Sequence, residues 1–181
     1  MSLVELLVVM IIFSVLIVIT FTVLVTVQRQ TVDTMARNDS VDQARLAMAQ
    51  IDRRVRSGDR IFAVTPDASG LSDRLVVLNF YNGDGAAQSR CIEWQATGGV
   101  LRTRTFPQLW ATAGGVSPWL VTARFVPSGQ RPFRVTADSG SVDVRLKVDP
   151  TGAGLPSELV STLTTRNLDT TGVPCTPAPT P

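Results

Sequence analysis

No glycine and no proline occurs in residues 1–57, and the first breakers are Gly58 and Pro66. Proline is not tolerated in a helix interior and glycine costs about 1 kcal/mol there, so a stretch free of both can run as one helix. At the rise of an α-helix it reaches about 85 Å. Residues 6–27 carry no charge, and only Ser14, Thr20, Thr22 and Thr26 interrupt the apolar run. Such a run spans about 33 Å against a hydrocarbon core of about 30 Å. It is too long for the apolar region of a signal peptide, and no small-residue cleavage site follows it. A retained membrane helix is expected over residues 1–27. Glu5 stands just before this run. A carboxylate near the bilayer interior costs about 2.5–3.5 kcal/mol on insertion scales, so Glu5 requires a partner.

The second half of the helix, residues 28–57, has a different texture. Val41, Ala44, Met48, Ile51 and Val55 recur every three or four residues and predict one apolar stripe. Charged residues surround it, with Asp33–Arg37 and Asp52–Arg56 spaced as favourable i,i+4 pairs. The first half suits lipid or other helices; the second suits a domain to pack on.

Residues 58–172 read as a β-sheet domain. Strands are expected over residues 74–81, 89–95, 100–105, 120–126, 141–148 and 159–167. Asn82-Gly83-Asp84-Gly85 and Thr97-Gly98-Gly99 supply the turns. Val142, Val144, Leu146 and Val148 alternate strictly with polar residues, the mark of a half-buried strand. Residues 106–118 show no period and read as loop. The tail, residues 173–181, has four prolines and cannot form regular structure beyond Cys175.

The two cysteines, Cys91 and Cys175, are expected to form a disulfide on the oxidising side of the membrane; the alternative is two unrelated thiols. There is no histidine and no C-x-x-C, which excludes zinc sites of the usual kinds. Of 17 basic residues 16 are arginines, interleaved with acids along the chain, and the net charge is only +2. Scattered arginines of this kind read as a solvated surface, and no clustered basic face points to nucleic acid.

Ser2-Leu-Val-Glu-Leu-Leu-Val-Val9 resembles the processed N-terminus of type IV pilins and type II secretion pseudopilins. Residues 43–57, with Arg45-Leu46, Ile51 and Arg53-Arg54-Val55-Arg56, are similar to the helix segment of the larger minor pilins and J-type pseudopilins, and Leu163-Thr-Thr-Arg-Asn167 to their last-strand ending. The resemblance implies an α+β pilin fold, a long N-terminal helix packed on an antiparallel sheet. It implies that a prepilin peptidase produces Met1 as the N-methylated first residue, and that Glu5 neutralises the Met1 amine of a neighbouring subunit. Assembly would proceed from the inner membrane through a platform and an ATPase, giving a filament of copies of this chain or of other pilin subunits at the bacterial surface. Two departures are visible. Thr22 stands where many major pilins have proline, and neither Asp169-Thr-Thr-Gly-Val nor Asn82-Gly-Asp-Gly85 has the several carboxylates a calcium site wants, so both read as turns and no metal is expected.

Two other function classes compete with the filament subunit. Catalysis is disfavoured, since no Ser–His or Cys–His pair exists and the chain has only three glutamates, Glu5 among them. No catalytic residue and no cofactor is expected. A membrane-tethered binding domain, an adhesin or DNA-uptake receptor that does not polymerise, is the second alternative. For it Trp110 and Trp119, flanking Gly114-Gly115, are candidate contact residues or loop anchors, whereas Trp94 reads as core.

Overall fold

The computed structural model describes residues 3–79, 89–108, 111, 114–124, 127, 129–138, 140–148, 156–168 and 175. Its architecture is α+β. One helix, α1 (Leu3–Arg56), leads into nine strands among the described residues: β1 (Arg60–Val64), β2 (Leu71–Ser72), β3 (Arg74–Asn79), β4 (Arg90–Thr97), β5 (Val100–Pro107), β6 (Leu120–Arg124), β7 (Phe133–Val135), β8 (Ser141–Val148) and β9 (Ser157–Thr164). Two compact units divide the chain, residues 1–38 and residues 39–181.

The first unit is helix alone. Its hydroxyls are satisfied within the helix: Ser14 donates to the Ile11 carbonyl at 2.8 Å, Thr20 to Leu16 at 2.7 Å, Thr22 to Val18 at 2.8 Å and Thr26 to Thr22 at 2.9 Å. Back-bonding of this kind removes the need for water at each polar side chain. The helix continues unbroken through Thr22.

The second unit holds the core. Ser40, Ala44, Ala47, Ile51 and Val55 are the buried residues of α1, at spacings of four, three, four and four. Of these, Ala47, Ile51 and Val55 pack with Ile61, Leu75, Val77, Trp94 and Leu101 of one sheet and Phe133, Val142, Val144 and Leu146 of another. Burying a side chain the size of Ile51 is worth about 1.5–3 kcal/mol. The larger sheet has the order β1-β3-β4-β5-β6, the smaller β2-β7-β8-β9. Every pairing is antiparallel. Gly98 and Gly99, at φ 56° and 79°, turn β4 into β5, with Thr97 opposite Val100. That two-residue turn demands positive φ at both positions, which glycine adopts without steric cost.

Gly58 ends the helix. Its N–H donates to the Val55 carbonyl at 3.0 Å, and the next N–H, on Asp59, donates to Leu78 of β3 at 2.8 Å. A side chain at Gly58 would collide with Val77 Cγ1, so glycine lets the helix end lie against β3.

The structure corrects several sequence expectations. The buried stripe is centred on Ala44 and Ala47, while Val41 and Met48 lie half-buried at its flanks. The expected i,i+4 pair Asp52–Arg56 closes at 2.7 Å. Strand β5 runs on to Pro107 into the stretch read as loop, and β9 starts at Ser157 and ends at Thr164, short of Asn167. β4 is not an alternating strand: residues 91–96 are all buried, because both faces of the larger sheet are covered there. The short strands β1, β2 and β7 carry too few residues for a periodic signal.

Candidate assembly surface and the covered face of the sheet

Leu3 to Val27 turn apolar side chains outward on all sides of the helix; Met10 is 63% exposed and Phe21 66%. This is the one helix among the described residues long and apolar enough to cross a membrane, consistent with a single-pass membrane protein. Phe13, Leu16, Ile17, Thr20, Leu24 and Val27 line a shallow apolar concavity of about 580 Å³ on one of its faces. The repeat of three and four lets a facing helix set its side chains into that row. Glu5 is exposed on the same helix and is the one acid in its first turn. Met1, expected as its partner in a neighbour, lies outside the described residues.

The sheet face turned away from α1 holds a second cluster of Val64, Val76, Leu78, Cys91 and Phe106, closed by Cys175. The disulfide Cys91–Cys175 is formed across 84 positions of sequence, so the tail is tied back to β4. Beside this cluster lies a group of charges that the reading of scattered arginines as solvated surface missed. Glu93 of β4 is fully buried. Arg74 of β3 donates from Nε to Glu93 Oε1 at 2.6 Å, and Arg104 of β5 from Nε to Oε2 at 2.7 Å. Each carboxylate oxygen thus has its own guanidinium, the pairing that a buried charge requires. Register explains the meeting: Glu93 stands opposite Val76 on one side and Arg104 on the other, with Arg74 two residues along β3.

Trp119 completes this layer. The guanidinium carbons of Arg102 and Arg104 lie 4.4 and 4.2 Å from the centre of its ring, and Arg102 also donates to Gln95 Oε1 at 2.9 Å. Two cations on one indole hold it against β5, which makes Trp119 an anchor of its loop. Trp110 lies outside the described residues, as do both stretches weighed as calcium sites. Trp94 is core, as its place in β4 predicts.

Between α1 and the faces of β4, β5 and β6 turned toward it lies a groove of about 530 Å³, with Ile92, Trp94 and Leu120 along the sheet side and Leu46, Arg53 and Arg54 along the helix side. Among the described residues, Trp94 Nε1 is buried without a hydrogen-bond partner. Neither Arg53 nor Arg54 makes an ion pair among the described residues.

No family model matches this chain, and neither does any characterised protein or solved structure.

Proposed function

We propose that the chain is a structural subunit of a type IV pilus-like filament or pseudopilus, and a minor or tip subunit in preference to the major repeat. One observation carries the reading. A membrane-length helix half exposes apolar residues in every direction, carries Glu5 beside its apolar run, and continues into a half that packs on its own sheets. Lipid covers such a helix before assembly, and the apolar halves of neighbouring subunits cover it afterwards. Glu5 then meets the Met1 amine of a neighbour. In low dielectric the two opposite charges attract strongly, and each left alone bears the cost of desolvation. A subunit docked out of register keeps that cost, so the pair selects register. The disulfide fits a domain exposed on the oxidising, extracytoplasmic side. Processing by a prepilin peptidase and extraction by a platform and ATPase belong to the same reading.

Filaments sheared from cells and analysed by quantitative mass spectrometry test it. An N-methylated peptide beginning at Met1, at trace abundance relative to filament mass, is the expected result. Equal abundance makes the chain the major subunit, and absence from filaments overturns the reading. The groove beside α1 favours one second reading, a tethered binding domain that never polymerises. Glu5→Leu separates the two: a tethered domain keeps its surface level and binding, whereas a filament subunit stops being incorporated.

A further inference from the structure

The groove beside α1 lies wholly within the second unit, residues 39–181. Two leucines that stay in water border it: Leu46 of α1 is 65% exposed and Leu120 of β6 63%. The rest of the sheet side is Ile92 and Trp94, both buried, with Thr103 and Thr105 of β5. Both threonine hydroxyls are engaged within the domain, Thr103 donating to the Glu93 carbonyl at 3.0 Å and Thr105 lying 3.4 Å from the Ser117 hydroxyl. The sheet side therefore offers mainly hydrocarbon. On the helix side Ala49 is short, and Arg53 and Arg54 stand exposed with no ion pair among the described residues. Exposed leucines beside uncompensated arginines form a surface whose complement is apolar and acidic at once.

We infer that this groove binds an acidic segment of a different protein, extended along α1, with an apolar side chain seated between Leu46 and Leu120 and a carboxylate on Arg53 and Arg54. Leu46 and Arg53 are seven residues apart on one helix, two turns or about 10 Å. An extended chain covers that distance in about three residues, so the acid stands about three or four positions from the apolar anchor. The borders decide between a protein segment and a small molecule. A small-ligand pocket buries most of its ligand, whereas a groove with both borders in water leaves one side of its occupant open, as a loop of a larger partner allows. A free phosphate or a nucleic-acid backbone would satisfy the arginines but leave the leucines in water. The chain itself carries a net charge of +2, so the acidic complement comes from another protein. The groove serves a filament subunit and a tethered domain alike, and the inference depends on neither reading.

Photo-cross-linking of the full chain in its own cells tests it. Benzoylphenylalanine in place of Leu120 should capture, on illumination, a peptide of a different protein with Asp or Glu three or four positions from the captured residue. The same group in place of Val160 of β9, 60% exposed on the smaller sheet, should capture none of it. Arg53→Glu with Arg54→Glu should lower the yield about tenfold, and exchanging the captured peptide's acid for lysine in that background should restore it. Both arginines are exposed, so the double variant should melt within about 2 °C of the unaltered chain in detergent. If it melts lower, Arg53→Gln with Arg54→Gln, which adds no acid to the helix end, takes its place in the same assay. Capture of lipid, of nucleic acid or of a second copy alone overturns the inference. So do a captured peptide without a neighbouring acid, no capture, and a yield that loss of the two charges leaves unchanged. None of these outcomes touches the filament reading, which the sheared filaments decide.

Discussion

Replacing Glu93 by glutamine removes one charge and almost no volume, and it strikes the most demanding spot in the sheet. Glu93 is fully buried, the Arg104 side chain is 3% exposed and the Arg74 side chain 14%. Without the carboxylate, two guanidinium groups stay on a covered sheet face with their main counter-charge gone. Removing one member of a buried ion pair costs about 3–5 kcal/mol, most of it the burial of the charge left behind. Arg74 can reach water at its edge and Arg104 keeps its stacking on Trp119 at 4.2 Å, which places the expected loss at the lower end, about 3 kcal/mol. For a unit of this size that is a fall in Tm of about 8–12 °C. Thermal unfolding of the full chain in detergent, followed by circular dichroism and tryptophan fluorescence, reads it directly. A companion variant decides the cause. Arg74→Leu, Glu93→Leu and Arg104→Leu together remove all three charges, and replacement of such a triad by apolar groups is near neutral or stabilising elsewhere. The argument fails if Glu93→Gln melts within about 2 °C of the unaltered protein, or if the triple variant is as unstable as the single one, for then shape and not charge is what the site supplies.

Other perturbations test other parts of the fold. Gly58→Ala drives a methyl group into Val77 Cγ1 and should cost about 1–3 kcal/mol, measured by denaturant unfolding; no loss would mean that the helix end does not press on β3. Reduction of Cys91–Cys175, which spans 84 positions, should lower stability by about 4.5 kcal/mol in the loop-entropy model. Because both cysteines are buried, thiol labelling without denaturant should be slow even in the presence of reductant. The Asp67 carboxyl is held below its ordinary value, first by the Ser69 hydroxyl and then by the Leu71 N–H, with Arg131 adding a small share. A depressed carboxyl stabilises the fold above the unfolded pKa, about 3.9, and that contribution is lost as pH falls through the folded value. Asp67→Asn should therefore flatten the decline of Tm between pH 5 and pH 2, and an unchanged slope would show that the turn does not prefer the carboxylate.

What could be read from the sequence is what local spacing records. The absence of glycine and proline predicts α1, and the alternation over residues 141–148 predicts β8 residue for residue. The glycine pair at 98–99 predicts the β4–β5 turn. The stripe was legible as a period but not in its centre, because Ser40 and Ala47 look unremarkable in sequence and are buried only by how closely the helix meets the sheets. Glu93 was not legible at all. Its partners stand 19 and 11 positions away, and only the register of three neighbouring strands brings them together. A strand covered on both faces also loses the alternation that would have flagged a charge on one of them.

The same reasoning says why the two halves of α1 tolerate change so differently. In residues 39–56 the buried positions answer to a partner built into the chain, so altering Ile51 or Val55 is felt in the folding of the domain itself. In residues 3–27 no side chain is buried within the chain, and an apolar replacement there leaves the fold untouched. On the filament reading proposed above, selection on that half acts through lipid and through neighbouring helices, for which the row Phe13, Leu16, Ile17, Thr20 and Leu24 offers a shape to match. Phe13→Leu and Leu16→Ala should thus leave the melting of the β domain unchanged while altering incorporation into filaments, a separation that a helix serving only as an anchor would not produce.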